Sequence, residues 1–289
     1  MKNYLVFDFG GTSIKYGVLS ENGDILEHSS FNTPNSLDAL YSEIFKIKNS
    51  YDYKFSGVAL SCPGAVNTDT GFVAGVSALP YIHGPNIKKE LEELLELEVH
   101  LENDANCAAL AEVWLGEAQF NDDVVFIVLG TGVGGAIVKN KQIHKGKNLQ
   151  AGEFGIMYFE SEKGVPGTWG SVSIGQLTSR VSKKLNRDIN GVELFNLVNK
   201  NEIISNEVKN WYSDLAKGIL SIQYVYDPEK IIIGGGVSAD QNIINNIQAS
   251  VTNLVDKIDS ATIYPEIKSC KFNNNSNLIG ALYNFLQNC

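Results

Sequence analysis

The sequence predicts an α/β protein built from two lobes of similar construction. Apolar runs of strand length alternate along the chain with longer amphipathic segments of helical period, which is typical of this class. A pattern of strand, glycine-rich loop, strand, turn and strand occupies residues 3–32 and recurs at 123–146. The length of 289 residues suits two cores better than one. We therefore expect an internal duplication with one three-stranded unit in each lobe.

The elements of the first half are indicated by apolar periodicity and by the turn residues between them. Asn22-Gly23 is a strong hairpin signal between two strands, and a proline falls in the first turn of an amphipathic helix over 85–97. In order we expect strands over 3–9, 13–20 and 24–32, a helix over 36–49, a buried strand over 55–64 ending in a Pro-Gly loop, a hairpin turning at Asp69–Gly71, the helix over 85–97, a strand over 98–103 and a helix from near Asp104.

The second half continues the alternation after the repeated unit. An apolar stripe of 3.6-residue period predicts a long helix over 206–226, which Asp227-Pro228 ends. Helices over 173–186 and 240–256, a buried strand at "KIIIGGGV" and a last helix at "NLIGALYNFL" complete the expected set.

Composition excludes several classes of function. The net charge of −10 disfavours nucleic acid and anionic membranes as partners. None of the four cysteines stands in CxxC spacing, so neither a zinc knuckle nor a disulfide framework is indicated. No apolar run approaches the roughly 20 residues of a membrane span, and Asp8 interrupts the apolar run that a secretory signal would need. We expect a cytoplasmic protein.

Three glycine-rich turns each follow an apolar strand: Asp8–Thr12, Gly130–Gly135 and Gly234–Gly236. Any one of them could be an ordinary tight turn. Three in one chain, two of them in the repeated unit, favour backbone N–H groups arranged around a polyphosphate. No P-loop is present, and "GTGVGG" leads into a strand rather than a helix, which excludes the dinucleotide fingerprint.

Asn103 and Asp104 stand where a strand gives way to a helix. Asp104 could simply be the N-cap of that helix. Strand ends of open α/β sheets are also where ligands bind, and a carboxylate there could take a proton from an attacking hydroxyl. Both interpretations stay open on these residues alone.

An ordered set of motifs resembles the ROK family of bacterial sugar kinases and sugar-responsive repressors. The set is "DFGGTSIK", "SCPGAV", "LENDANCAALAE", "LGTGVGG", "GEFG" and "IIIGGGV", and it covers nearly the whole chain. The resemblance implies a hexokinase–actin-like fold of two RNase-H-like lobes, with ATP and sugar in the cleft between them. It also implies a small lobe over 1–116 on which a C-terminal helix at 277–289 packs, a larger lobe over 117–276, and a possible homodimer.

The same resemblance implies roles for individual residues. Asp104 is the expected general base for phosphorylation of a sugar hydroxyl, the 6-hydroxyl of a hexose or a substituted hexose such as N-acetylmannosamine, glucose or a β-glucoside. Asp8 is expected near Mg²⁺. The expected ATP-binding residues are Asp8, Gly10, Gly11, Thr12, Lys15, Thr131, Gly132, Gly234, Gly235 and Gly236, and the expected sugar contacts are Gly64, Ser77, Asn103, Asp104 and Glu153.

The chain departs from the family pattern on the expected sugar side. Ile156 stands where the family has histidine, Ser77 replaces an asparagine, and the cysteine-rich zinc motif is missing, its final glutamate falling near Trp169-Gly170. We therefore expect no zinc, and we expect apolar replacements to pack on a sugar substituent.

Three other functions compete with a sugar kinase. A repressor of the same family would carry a helix-turn-helix domain, whereas this sequence begins directly with a strand. A sugar-binding regulatory protein without kinase activity is the alternative that the altered pocket suggests. An actin-like assembly ATPase would leave "LENDAN" and "GEFG" unexplained.

Overall fold

The computed structural model describes residues 2–160 and 165–288, which form two compact units. The first unit holds the described residues up to Gly116, the segment Lys145–Gln150 and the residues from Asn274. The second holds Glu117–His144 and the described residues of Ala151–Asn273. Residues 1 and 289, which bound the predicted lobes and the predicted last helix, lie outside the described part of the chain.

Each unit contains one five-stranded sheet. The strands of the first unit are β1 (Asn3–Phe9), β2 (Ser13–Ser20), β3 (Ile25–Asn32), β4 (Phe55–Cys62) and β7 (Val99–Asn103), with a small hairpin of β5 (Ala65–Asn67) and β6 (Phe72–Ala74). Its helices are α1 (Leu37–Ser50), α2 (Ile87–Leu95), α3 (Asp104–Leu115) and α8 (Ser276–Gln287). The strand order is β3-β2-β1-β4-β7, with β1, β4 and β7 parallel.

The second unit repeats this topology. Its strands are β8 (Val124–Leu129), β9 (Val133–Lys139), β10 (Gln142–Ile143), β11 (Lys230–Gly234) and β12 (Ile267–Ser269), and its helices are α4 (Ile174–Leu185), α5 (Gly191–Asn196), α6 (Glu202–Tyr226) and α7 (Gln241–Val255). The order β10-β9-β8-β11-β12 again places two antiparallel pairings before two parallel ones. The predicted internal duplication is therefore confirmed at the level of sheet topology.

Helix packing in the first unit follows the apolar stripes of the sequence. Buried residues recur at helical spacing in α2, at Ile87, Leu91 and Leu95. Helices α3 and α8 approach so closely that a Cβ on Gly280 would lie 1.6 Å from the backbone oxygen of Cys107. Glycine at this position is what lets α8 pack against α3 and the sheet.

The structure corrects several sequence-based boundaries. Helix α6 begins at Glu202 rather than 206, because the side chain of Asn201 accepts a hydrogen bond from the N–H of Ile204 and caps it there. Helix α5 and strand β12 were not predicted, since each is too short for a periodic signal. No helix of residues 2–160 and 165–288 combines the length and the apolar content needed to span a membrane.

Candidate functional site

Asp8 lies near the carboxyl end of β1, where the parallel strands of the first unit end together. Its side chain is held by two neutral donors, since Ser61 Oγ on β4 and Asn277 Nδ2 on α8 donate to Oδ1 at 2.8 and 2.9 Å. The residue is only 8% exposed. Both hydrogen bonds use the same oxygen, so they orient the carboxylate without neutralising its charge.

The turn after Asp8 is anchored from its far side. Thr33 donates through Oγ1 to the carbonyl of Gly10 at 2.6 Å and through its N–H to the carbonyl of Thr12 at 3.0 Å. Gly11 does not adopt a positive φ, but a Cβ there would lie 2.6 Å from Cβ of Ala78. Glycine is required at this position by close packing rather than by backbone conformation.

Lys15 is placed beside Asp8 by strand pairing. The two residues are partners in the β1–β2 register, and Lys15 Nζ donates to the carbonyl of Asn274 at 3.2 Å. One loop and its flanking strand residues therefore contain the predicted residues Asp8, Gly10, Gly11, Thr12 and Lys15. This loop joins the end of β1 to the start of β2.

The start of helix α3 shows which of two neighbouring residues is the N-cap. Asn103 is the N-cap of α3, because its Oδ1 accepts from the N–H of Asn106 at 3.1 Å. Asp104, which was a candidate for the cap, is instead the first helical residue, and its Oδ1 accepts from Ala105 N and from Asn103 Nδ2, each at 2.9 Å. Neutral donors therefore hold the Asp104 side chain at the junction of strand β7 and helix α3.

Gly64 joins this pair through its backbone. Asn103 Nδ2 also donates to the carbonyl of Gly64 at 3.0 Å, and Gly64 has a φ of +110°, which favours glycine. The three predicted sugar contacts Gly64, Asn103 and Asp104 are therefore one hydrogen-bonded cluster in the first unit.

Ser77 lies on the other side of Gly64, paired with a histidine. Its Oγ lies 2.8 Å from His83 Nε2, and the other ring nitrogen lies 3.3 Å from the carbonyl of Val73. Because a carbonyl only accepts, Nδ1 carries the proton and Nε2 accepts from the Ser77 hydroxyl. A Cβ on Gly64 would lie 3.2 Å from the His83 ring, so the pair borders the cluster.

Cys62, the last residue of β4, is fully buried. Burial raises the pKa of its thiol well above the ordinary value, and the charges of Asp104, Asp8 and Glu102 raise it further. The thiol stays protonated near neutral pH, which favours a packing role over a nucleophilic one.

In the second unit, two glycine-rich turns follow the neighbouring parallel strands β8 and β11. Gly130, Thr131 and Gly132 connect β8 to β9, and a Cβ at either glycine would meet open space. Gly234 ends β11, and Gly235 has a φ of +90° and would place a Cβ 2.3 Å from the carbonyl of Leu129. The second and third predicted loops therefore lie side by side in this unit.

A cavity of about 1040 Å³ opens between these loops. Gly130, Thr131, Gly236 and Asp240 line one side of it, and Asn190 and Phe195 of the α5 region line the other. It has the size and the mixed apolar and polar lining of a small-molecule site. The lining from residues 190–200 was missed in the sequence, because "NGVELFNLVNK" carries no motif.

The other residues that stood out in the sequence, Glu153, Ile156 and Trp169, lie elsewhere in the second unit. Glu153 is exposed at the start of a short 3₁₀ helix, and Ile156 is 71% exposed. Trp169 is fully buried, with its indole over Gly218 and its Nε1 donating to the carbonyl of Asp214 at 3.0 Å. The expectation that Trp169 packs on a sugar substituent is wrong, because its ring is enclosed in the core.

The donor set of the first loop fits Mg²⁺ bound together with phosphate. Mg²⁺ takes oxygen ligands, commonly one or two carboxylates beside phosphate oxygens and water, and Asp8 offers one oriented carboxylate. Within residues 2–160 and 165–288, no group of three or more His, Cys, Asp and Glu side chains could hold a metal ion by itself. A divalent ion at Asp8 would complete its coordination with other oxygen ligands, such as water or phosphate oxygens.

Comparison with known proteins gives consistent matches over almost the whole chain. The model of the ROK family matches residues 4–288. A β-glucoside kinase of Listeria innocua serovar 6a is 32% identical, covering 97% of this chain and 96% of its own, and an N-acetyl-D-glucosamine kinase of Histophilus somni is 30% identical, covering 98% and 99%. A ROK family protein from Streptococcus pneumoniae TIGR4, solved in complex with sucrose, superposes with a TM-score of 0.93 at 34% identity, covering 99% of this chain and 98% of its own. The predicted hexokinase–actin-like fold is confirmed.

Proposed function

This chain belongs to the ROK family, and we propose that it is an ATP-dependent sugar kinase with Asp104 as general base. The family match and the kinase relatives support the reaction class. The structural observation that carries the proposal is the cluster of Gly64, Asn103 and Asp104, in which neutral donors hold the Asp104 carboxylate at a strand-to-helix junction.

The hydrogen bonds of Asp104 suit a proton acceptor. Its Oδ1 accepts from one backbone N–H and one side-chain amide, which orient the carboxylate. An ionised Asp104 can accept the proton of the attacking sugar hydroxyl. The sugar oxygen then forms a bond to the γ-phosphorus while the bond from that phosphorus to the bridging β-oxygen breaks, which yields the sugar phosphate and ADP.

The glycine-rich loops offer backbone hydrogen-bond donors for the phosphate groups of ATP. Gly11 and Thr12 in the first unit and Thr131 and Gly132 in the second are exposed loop residues whose backbone N–H groups could donate to phosphate oxygens, whereas the N–H of Gly130 donates to the carbonyl of Gly132. Asp8 would hold Mg²⁺, which neutralises charge on the phosphates when it is bound. The cavity lined by Gly236 and Asp240 would take the nucleoside, and Gly234 and Gly235 lead from strand β11 to this lining.

A substituted hexose is the substrate that we propose. The relatives named β-glucoside kinase and N-acetyl-D-glucosamine kinase act on hexoses that bear a substituent. In this chain the Ser77 hydroxyl is already engaged by His83, so fewer side-chain groups remain for plain hydroxyls. We infer phosphorylation at the 6-hydroxyl of a β-glucoside, with N-acetylhexosamines as the next candidates.

An ADP-release assay with MgATP tests this proposal. The panel contains methyl β-glucoside, cellobiose, N-acetylmannosamine, N-acetylglucosamine, glucose, mannose and fructose, and mass spectrometry of the product locates the phosphate. We expect sugar-dependent ADP release with at least one substituted sugar. ADP release that no sugar stimulates, together with measurable sugar binding, would favour the regulatory sugar-binding protein instead.

Use of MgATP favours a cytoplasmic location. The lobes at 1–116 with 277–289 and at 117–276 would be the two halves of the kinase, with Glu153 of the second a sugar contact. A homodimer without nucleic acid is the expected state, which light scattering and a gel-shift assay would test.

A further inference from the structure

Lys145 forms an ion pair in the first unit although it follows strand β10 of the second. Its Nζ lies 2.7 Å from Oε2 of Glu102 and donates to Thr68 Oγ1 at 3.0 Å. The Glu102 side chain is 2% exposed and that of Lys145 is 21% exposed. Because the carboxylate is almost entirely removed from water, the ion pair with Lys145 offsets part of the cost of burying it.

Glu102 immediately precedes the residues of the proposed sugar cluster and bonds to their helix. Its Oε1 accepts from the N–H of Asn103 at 2.7 Å and from Nδ2 of Asn106 at 3.0 Å. The N–H of Asn106 in turn donates to Oδ1 of Asn103. Glu102 therefore fixes both ends of the turn in which Asn103 caps α3 and presents Asp104.

We propose that Lys145 is a positioning residue that, through its ion pair with Glu102, holds the Asn103–Asp104 turn in the geometry that phosphoryl transfer requires. This proposal rests on the kinase function proposed above. Lys145 Nζ holds Oε2 of Glu102, while Oε1 of the same carboxylate accepts two hydrogen bonds. Nothing in this arrangement needs Lys145 to touch either substrate.

Loss of Lys145 has a defined consequence. Burial of the Glu102 carboxylate without its cation is costly, and a turn of the side chain toward water relieves that cost but changes the acceptor offered to Asn103. A displacement of about 1 Å in a catalytic group can cost up to roughly a hundredfold in rate. The effect should fall on turnover of sugar, while the nucleotide site of the second unit is unaffected.

The first test compares Lys145→Met with Lys147→Met, an exposed lysine of the same segment. We expect Lys145→Met to lower kcat about tenfold to a hundredfold with an unchanged KM for ATP, and Lys147→Met to stay within about twofold of the wild type. Lys145→Met combined with Glu102→Gln, which removes the orphaned charge and keeps an acceptor, should regain at least about threefold.

A second comparison separates positioning from general destabilisation. In an Asp104→Asn background, Lys145→Met should lower the residual rate by less than about twofold, because the group that it positions is already disabled. The same fractional loss in both backgrounds would overturn the proposal. Thermal unfolding followed by circular dichroism checks that each variant is folded.

Amide hydrogen exchange tests the positioning of the turn without relying on kinase activity, so its result can be separated from the test of the proposed function. Hydrogen exchange of the amides of Asn103 and Asn106, followed by nuclear magnetic resonance, reports the turn directly. We expect faster exchange of both in Lys145→Met, and a return toward wild-type rates when Glu102→Gln is added. Unchanged exchange in Lys145→Met overturns the proposal, and faster exchange in a chain without sugar-dependent ADP release supports the positioning of the turn while rejecting the kinase.

Discussion

At the scale of single residues, Asp104 and Asn103 illustrate how neighbouring side chains at one helix start take different tasks. Asn103 is the N-cap of α3, and the Asp104 carboxylate accepts hydrogen bonds from the N–H of Ala105 and the side-chain amide of Asn103. A change at Asp104 can therefore alter chemistry without removing the cap.

Replacement of Asp104 by asparagine tests its role as a base. The amide oxygen can still accept from Ala105, so the fold and nucleotide binding should be retained, whereas an amide cannot take up the sugar proton. We expect kcat to fall at least about a hundredfold, measured by ADP release beside nucleotide titration. Asp69→Asn, which changes an exposed carboxylate of the same unit, serves as the control. Turnover near the wild-type value would leave Asp104 a structural residue.

Gly11 allows packing and phosphate approach to be separated. A Cβ at this position meets Ala78, so Gly11→Ala should destabilise the loop, and adding Ala78→Gly should relieve that contact. If the bare backbone is also needed for phosphate, the double variant should keep a KM for ATP about tenfold higher, the cost of one or two lost hydrogen bonds. Steady-state kinetics at varied ATP, with urea unfolding in parallel, measures both effects. Full recovery of the ATP dependence in the double variant would make this turn purely structural.

At the scale of elements, α8 supports the site from the end of the chain. It contributes Asn277 to Asp8 and packs against α3, whose first residue is Asp104. The packing distance is set by Gly280, so the position of α8 and the orientation of Asp8 depend on one small residue.

Gly280→Ala should destabilise the first unit by about 2–3 kcal/mol, because the added methyl would overlap the backbone of α3. The free energy of unfolding from urea titration measures the effect. Gly236→Ala is the matched control for stability, since a Cβ there meets open space. Equal stabilities of the two variants would show that α8 can shift without cost.

At the scale of the whole molecule, the metal content of the purified protein is a property to test. The cysteine-rich zinc motif is missing from the sequence. We expect no stoichiometric zinc by elemental analysis, full activity in a chelator that binds zinc but spares Mg²⁺, and loss of activity when Mg²⁺ is removed. About one zinc per chain, retained through purification, would contradict this prediction.

Sugar preference is the second property of the whole molecule. The family resemblance implies that Ser77 and Ile156 stand in place of an asparagine and a histidine, and lost hydrogen bonds at about 0.5–1.5 kcal/mol each should weaken the binding of plain glucose roughly tenfold or more. We expect a higher kcat/KM for methyl β-glucoside or N-acetylmannosamine than for glucose, and a smaller difference in Ile156→His. An equal or higher kcat/KM for glucose would show that these two residues do not set specificity.

The sequence by itself determined the strands and helices with clear periodicity, the duplicated unit, and the places where glycine loops interrupt strands. These features are local, because apolar spacing and turn residues act over a few neighbours. They were enough to place Asp8 and Asp104 at strand ends and to predict the fold class.

Only the tertiary structure decided which distant side chains meet. Asn277 reaches Asp8 from 269 residues away, Lys145 pairs with Glu102, and Trp169 is enclosed in the core instead of lining a site. Such contacts depend on strand order and on the approach of packed helices, as at Gly280, and no local pattern in the chain encodes them.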